Sequence, residues 1–241
     1  MNLLLLGPED FLPDGAARVS GRRFKQLKEV IKAVPGKLCK AGVTGGQVGV
    51  AEVLAMGGDH AELRFTPQGD PPPPLDVILC CALPRPLTFS KVIHSAVTCG
   101  VKRICFFHSA KVEKSYWQSS RLDDGFIREE LTLALEQCAD TMFPEISFHR
   151  KFRRFVEDEL PAIVPENALR IFGSPHADIP VPTGAARDGE VALVIGPEGG
   201  LNDFEERDLR DNGFTGVTLG ARILRSEFAV NAFLSVLGVV K

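Results

Sequence analysis

The sequence predicts an α/β protein with a parallel sheet, preceded by a small β-barrel domain. Three observations predict it. After residue 75, short apolar runs suited to buried strands alternate with segments of helical spacing, the pattern of a parallel sheet with helices between its strands. Before residue 70 the chain is strand-dominated and punctuated by turns. Between the two stand Pro71, Pro72, Pro73 and Pro74; each ring fixes its own φ and removes a donor, so the run is a stiff spacer. The expected organisation is a first domain over 1–70, a linker over 71–74 and a second domain over 75–241.

In the first domain, residues 1–6 have the composition of a strand. Residues 22–33 carry Phe24, Leu27, Val30 and Ile31 at three- and four-residue spacing, which predicts a helix. Residues 48–54 and 60–65 alternate apolar and polar, two strands joined by the turn Met56-Gly57-Gly58-Asp59. In the second domain, 75–83, 101–107, 169–172, 191–195 and 215–219 are the expected strands. Residues 87–99, 124–138, 203–211 and 227–239 are the expected helices. Gly100 suits the position after the first of these helices. The third has Asn202 as its cap, Glu205 and Glu206 in its first turn and Gly213 beyond its end.

The chain has 241 residues, 44% of them hydrophobic and 24% charged, the composition of an ordinary globular protein. It opens without a basic segment or a long apolar core, and no run reaches the roughly 18 apolar residues of a membrane span, so a cytoplasmic protein with no membrane contact is expected. Cys39, Cys80, Cys81, Cys99, Cys105 and Cys138 form no C-x-x-C pair, and the five histidines show no ligand spacing. Reduced thiols and no metal site are expected.

The net charge of −3 argues against a nucleic-acid partner only if it is spread evenly, and it is not. Between Arg18 and Lys40 lie eight basic residues (Arg18, Arg22, Arg23, Lys25, Lys28, Lys32, Lys37, Lys40) and one acid, Glu29. Such a run is ordinarily a solvated face, yet on an acidic protein it equally suits phosphate. Arg22, Arg23, Lys25, Lys28 and Lys32 are therefore the expected RNA contacts.

Ligands of open parallel sheets bind beyond the carboxyl ends of the strands. Three loops leave such ends: Phe172-Gly173-Ser174-Pro175-His176, Ile195-Gly196-Pro197-Glu198-Gly199-Gly200, and Leu219-Gly220-Ala221-Arg222-Ile223-Leu224-Arg225. Glycines there let a ligand meet bare backbone, or serve a tight turn. The middle loop lacks the lysine of a P-loop and is not G-x-G-x-x-G, and no G-x-S-x-G elbow occurs, which disfavours ATP, NAD and serine hydrolysis.

The run Leu193-Val194-Ile195-Gly196-Pro197-Glu198-Gly199-Gly200, with Leu219-Gly220-x-Arg222-Ile223-Leu224-Arg225-x-Glu227 after it, resembles the RsmE family. These are 16S ribosomal RNA uridine-N3 methyltransferases of the SPOUT superfamily. The likeness is close from about residue 168 onward. It implies a PUA-like RNA-binding barrel, then a SPOUT domain with a C-terminal trefoil knot in which the three loops hold S-adenosylmethionine. The cofactor residues it implies are Phe172, Gly173, Ile195, Gly196, Pro197, Glu198, Gly199, Gly200, Leu219, Gly220, Ile223 and Leu224. It also implies a homodimer, with Phe228, Ala232, Phe233, Val236 and Leu237 as an apolar surface that could equally pack inside one subunit.

Methyl transfer to uracil N3 needs the acceptor in line with the methyl group, a route for the N3 proton and donors for charge developing on the uracil oxygens. Arg225 is the expected donor, since a guanidinium offers a planar fork. Glu227 or Glu198 is the expected proton acceptor, each equally suited to capping a helix or ordering a loop. The chain departs from the family pattern at Phe228, at Asp140 and at His108-Ser109-Ala110, mainly on the side the resemblance leads one to expect to face RNA. Two alternatives therefore stand beside the leading reading: methylation of a different RNA site, and a catalytically silent RNA-binding protein of the same fold.

Overall fold

A computed structural model describes residues 2–239, Val239 by its backbone alone; Met1, the first residue of the expected opening strand, lies outside the described residues. The chain divides into two compact units, the first holding residues up to Pro72 together with Thr132–Phe143, the second holding Pro73–Leu131 and the chain from Pro144 onward.

The first unit is a five-stranded barrel-like sheet of β1 (Leu4–Leu6), β2 (Ala17–Ser20), β3 (Leu38–Val43), β4 (Val48–Met56) and β5 (His60–Gly69), in the order β1-β3-β4-β5-β2. Only β1 and β3 pair in parallel; the other pairs are antiparallel. Register shifts at Val48/Gly49 and Val53/Ala55 in β4 add the local twist that bends a small sheet around its core. Leu4, Leu6, Val19, Phe24, Leu27, Val53 and Leu63 fill that core.

Helix α1 (Gly21–Lys25) runs into a π-helical turn over Gln26–Val30 and closes this core with Phe24 and Leu27. The expected apolar face included Val30, but Val30 is 72% exposed. A π turn advances less per residue than an α turn, which carries Val30 off the inward side. The helical stretch ends at Val30, three positions before the expected span would have, and Lys32 takes φ 51 just beyond it. Strands β2 and β3 were not expected: both carry charges on their outward positions, which dilutes an apolar signal.

The second unit contains β6 (Leu75–Ala82), α2 (Pro86–Thr98), β7 (Val101–Phe107), α3 (Asp124–Cys138), β8 (Glu145–His149), α4 (Phe152–Arg154), α5 (Leu160–Ile163), β9 (Leu169–Gly173), α6 (Ala185–Asp188), β10 (Val191–Ile195), α7 (Asp203–Asp211), β11 (Thr215–Val217) and α8 (Ser226–Leu234). The last residues of α3 group with the first unit. A π-helical turn over Phe155–Glu159 joins α4 to α5, and another over Ser235–Val239 extends α8.

The sheet is six-stranded, order β11-β9-β10-β6-β7-β8, and every pair is parallel. Central β10 is buried throughout, as a strand covered on both faces must be. Successive residues of β7 point to opposite faces. Phe106 meets Phe89 of α2 at 4.8 Å between ring centroids, while Phe107 meets Phe155 at 5.4 Å and Phe152 at 5.7 Å. Among the described residues no helix is long and apolar enough to cross a membrane.

Candidate functional site

A cavity of about 230 Å³ opens beyond the carboxyl ends of β9, β10 and β11. Its position follows from the topology: three neighbouring parallel strands end here and their loops must turn away. Gly173 ends β9, Ile195 ends β10 with Gly196 after it, and Val217 ends β11 with Thr218 to Gly220 after it. The wall is completed by Ser226, Ala229 and Phe233 of α8.

Of the twelve residues expected to hold a cofactor, all but Phe172 line this cavity. Phe172 is fully buried and carries the Arg210 guanidinium over its ring at 5.1 Å. Two glycines show why the loops are bare. A Cβ on Gly196 would lie 3.0 Å from Leu201 Cγ and 3.1 Å from Leu201 N. A Cβ on Gly173 would lie 2.9 Å from the Phe233 ring.

Polar groups on the wall are held by their own network. Glu206 Oε1 accepts from Ser174 Oγ at 2.9 Å, and its other oxygen accepts from Arg210 at 2.7 Å. Lys111 donates to the Gly199 carbonyl at 2.7 Å, fixing the glycine loop from the segment after β7. That segment is itself tied down by buried Glu205, whose Oε1 accepts from Ala110 N at 2.7 Å and whose Oε2 accepts from Ser109 Oγ at 3.2 Å. Glu205 closes a reciprocal cap with Asn202 at the start of α7. One wall group has no partner: Ser226 Oγ is buried and unbonded among the described residues.

The expected catalytic residues separate. Glu198 lines the cavity, with Oε1 accepting a long bond of 3.4 Å from Arg85 N. Arg225 caps α8 and points to solvent off the cavity wall, where Arg222 stands instead. Glu227 is buried away from the wall, 3.7 Å from Lys91 Nζ. Ser226, Glu206 and Lys111 were missed. Ser226 sits between two residues of the C-terminal motif and was legible there; Lys111 reaches Gly199 across 88 positions and left no signal.

The expected RNA contacts also divide. Lys25, Lys28 and Lys32 are exposed. Arg23 is instead bonded to Asp10 and to the Leu5 carbonyl, and Arg22 donates to buried Glu136 at 2.8 Å. On the expected apolar face of α8, Phe233 and Leu237 are buried inside the chain, whereas Phe228 is 58% exposed. Asp140 is buried at the end of α3, accepting from Thr141 N and Met142 N at 2.6 and 2.9 Å.

The RNA methyltransferase domain family matches residues 71–238 of this chain. A ribosomal RNA small subunit methyltransferase E of Treponema pallidum is 25% identical over 240 residues, covering 98% of this chain and 90% of that one. Its counterpart in Mesomycoplasma hyopneumoniae is 29% identical over 178 residues, 73% of this chain and 75% of the relative. Among solved structures, ribosomal RNA small subunit methyltransferase E of Neisseria gonorrhoeae, bound to S-adenosyl methionine, has 21% identity and a TM-score of 0.72, covering 98% of this chain and 95% of that one.

Proposed function

The chain belongs to the RNA methyltransferase domain family, and from that premise we propose that it methylates small-subunit ribosomal RNA with S-adenosylmethionine, at N3 of a uridine. The single observation that carries the reading is the glycine-walled cavity where β9, β10 and β11 end together. Its wall suits an adenosyl group: Ile195, Leu201, Leu219, Ile223, Leu224 and Phe233 supply apolar surface. The unbonded Ser226 hydroxyl supplies a hydrogen-bonding group still awaiting a partner. S-adenosylmethionine, when bound, supplies an electrophilic methyl group.

The protein's own part is to position and to manage a proton. Gly196 and Gly199 keep side chains out of the ligand's way, and Lys111 holds that loop in place. Glu198, a carboxylate on the cavity wall, accepts the N3 proton. A guanidinium faces the charge that develops on the uracil oxygens; Arg225 is the residue proposed, with Arg222 nearer the wall. Phe172, fully buried next to Gly173 in β9, supports the cofactor through that strand end. The exposed side chains of Lys25, Lys28 and Lys32 meet phosphate.

The first domain over 1–70, ahead of the linker over 71–74, contacts RNA, and the second over 75–241 carries the cavity. The active form is a homodimer joined through the face of α8 that carries exposed Phe228, acting in the cytoplasm where ribosomal RNA is made.

Calorimetry with S-adenosylmethionine and mass spectrometry of rRNA nucleosides from a deletion strain test the reading. Saturable cofactor heat and loss of N3-methyluridine from small-subunit rRNA are expected. Cofactor binding with N3-methyluridine unchanged would move the enzyme to a different RNA site. No heat at millimolar cofactor would leave a silent RNA-binding protein.

A further inference from the structure

The segment His149-Arg150-Lys151-Phe152-Arg153-Arg154 holds four cations and no acid, and its geometry divides cleanly. Phe152 packs on Phe107 at 5.7 Å, and Phe155 packs on both Phe107, at 5.4 Å, and His149, at 4.3 Å. His149 is bonded through both ring nitrogens, Nε2 with Ser147 Oγ at 2.8 Å and Nδ1 with Glu159 Oε2 at 2.5 Å. The apolar and imidazole groups are thus anchored inward, and Arg150, Lys151, Arg153 and Arg154 are left exposed.

These charges are not there for the helix. From Phe152 to Ile163 the chain winds continuously, and cations in its first turn oppose the helix dipole. The contrast is α7, whose first turn carries Asp203, Glu205 and Glu206. Arg153 and Arg154 are partly offset by Glu157 and Glu159, at 2.7 and 2.9 Å. Arg150 and Lys151 have no carboxylate partner among the described residues. Arg150 lies instead over the Trp117 ring at 4.9 Å, which holds its guanidinium in place and leaves its N–H donors facing water. Trp117 is itself fixed, donating from Nε1 to His108 Nδ1 at 2.9 Å.

This patch shares an edge with the cavity. All six strands are parallel, so Arg150, just beyond the end of β8, and Gly196, just beyond the end of β10, stand at the same end of the sheet. Three strand spacings separate β10 from β8, about 14 Å at about 4.8 Å each. That is about four stacked nucleotides at roughly 3.4 Å apiece. The segment after β7 connects them: Lys111 bonds Gly199 on the cavity wall, and Trp117, six positions on, supports Arg150.

We propose that Arg150, Lys151, Arg153 and Arg154, with Arg150 seated on Trp117, form a phosphate-binding site for the substrate RNA a few nucleotides from the one in the cavity. The inference rests on the methyltransferase reading and adds to it a second contact surface, in the unit that holds the cavity. Phosphate is the favoured ligand because the site offers two cations without a carboxylate partner, Arg150 and Lys151, the first held on a rigid aromatic support, and presents no acid between Arg150 and Arg154.

The test compares the full chain with its Arg150→Glu/Lys151→Glu variant, using an in vitro transcript of small-subunit rRNA as probe and varying salt. Both side chains are exposed, so the fold should persist, with Tm no lower and S-adenosylmethionine affinity unchanged. RNA affinity should fall at least tenfold at low salt, and the slope of log affinity against log salt should shrink by about 1 to 2. Trp117 is the sole tryptophan, so its fluorescence should also change on RNA addition in the wild type and far less in the variant. Equal affinity and slope in the two proteins, with wild-type RNA binding intact, would overturn this site and leave the methyltransferase reading standing. A wild type that binds no RNA would remove both. A variant that loses binding to a protein partner while RNA affinity stays equal likewise refutes the phosphate site.

Discussion

Arg23 and Asp10 face each other in a two-pronged ion pair, Nη2 to Oδ1 at 2.7 Å and Nη1 to Oδ2 at 2.5 Å, with Asp10 only 6% exposed. The pair also fixes the chain before α1, because Asp10 Oδ2 accepts from Gly7 N at 2.7 Å. Removing Arg23 strands a buried carboxylate, so Arg23→Ala should cost about 3 kcal/mol by urea denaturation. Lys25→Glu with Lys32→Glu should leave stability within about 0.5 kcal/mol and weaken RNA binding in a salt-dependent way. Equal RNA affinity in that double variant would remove the helix from the RNA surface.

Gly196 and Gly199 should respond differently to the same methyl group. On Gly196 it lies 3.0 Å from Leu201 Cγ and 3.1 Å from Leu201 N, so side chain and backbone must both give by a few tenths of an ångström; on Gly199 it meets Lys111 Cδ at 2.9 Å, part of a flexible chain. Gly196→Ala should raise the Kd for S-adenosylmethionine at least tenfold, and Gly199→Ala less than threefold. Calorimetry on the two variants checks the order.

Ser226 predicts opposite signs with and without ligand. Its buried hydroxyl is unbonded, so Ser226→Ala should stabilise the free protein by about 1 kcal/mol. If the cofactor supplies the missing partner, the same variant should bind S-adenosylmethionine more weakly. Thermal melts with and without cofactor read both signs at once.

Glu198→Gln should lower kcat about a hundredfold while cofactor affinity holds, as expected for a proton acceptor on the wall. Glu227→Gln, off the wall, should change kcat less than threefold. Single-turnover methyl transfer distinguishes them, and it also ranks Arg222→Ala against Arg225→Ala as the source of the guanidinium.

Asp208 carries the pH prediction. Burial, then the charge of Glu157, hold its carboxyl above the usual carboxylate range. A raised acid pKa means that folding is favoured with the group protonated, and this contribution is lost as pH rises through the folded value. Asp208→Asn should therefore stabilise the protein at neutral pH, and the gain should vanish in acid. A gain independent of pH would place its origin elsewhere.

Much of this was legible in sequence because the second unit is a parallel sheet. Buried strands such as β10 are uniformly apolar, and their loops announce themselves by glycine. Strand β8 was not legible: Glu145-Ile146-Ser147-Phe148-His149 lies at the sheet edge, half-exposed, and reads as mixed polarity. The helical stretch after it was missed for the same reason, since four cations mask Phe152 and Phe155. Segment 132–143 looked like part of the second domain because the helix over 124–138 is continuous; only its contacts assign it to the first unit.

The sequence by itself determined the fold class, the three loops and, through two short motifs, the family resemblance, because local periodicity and backbone-demanding glycines are written in neighbouring residues. The tertiary structure decided which charges are free. Arg23 and Lys25 look alike in a basic run, yet one is tied to a buried aspartate and the other faces water. Arg150 looks like any loop arginine until Trp117, 33 positions earlier, is found beneath it. A side chain's availability depends on partners brought together by folding, and those partners lie too far along the chain for spacing to reveal.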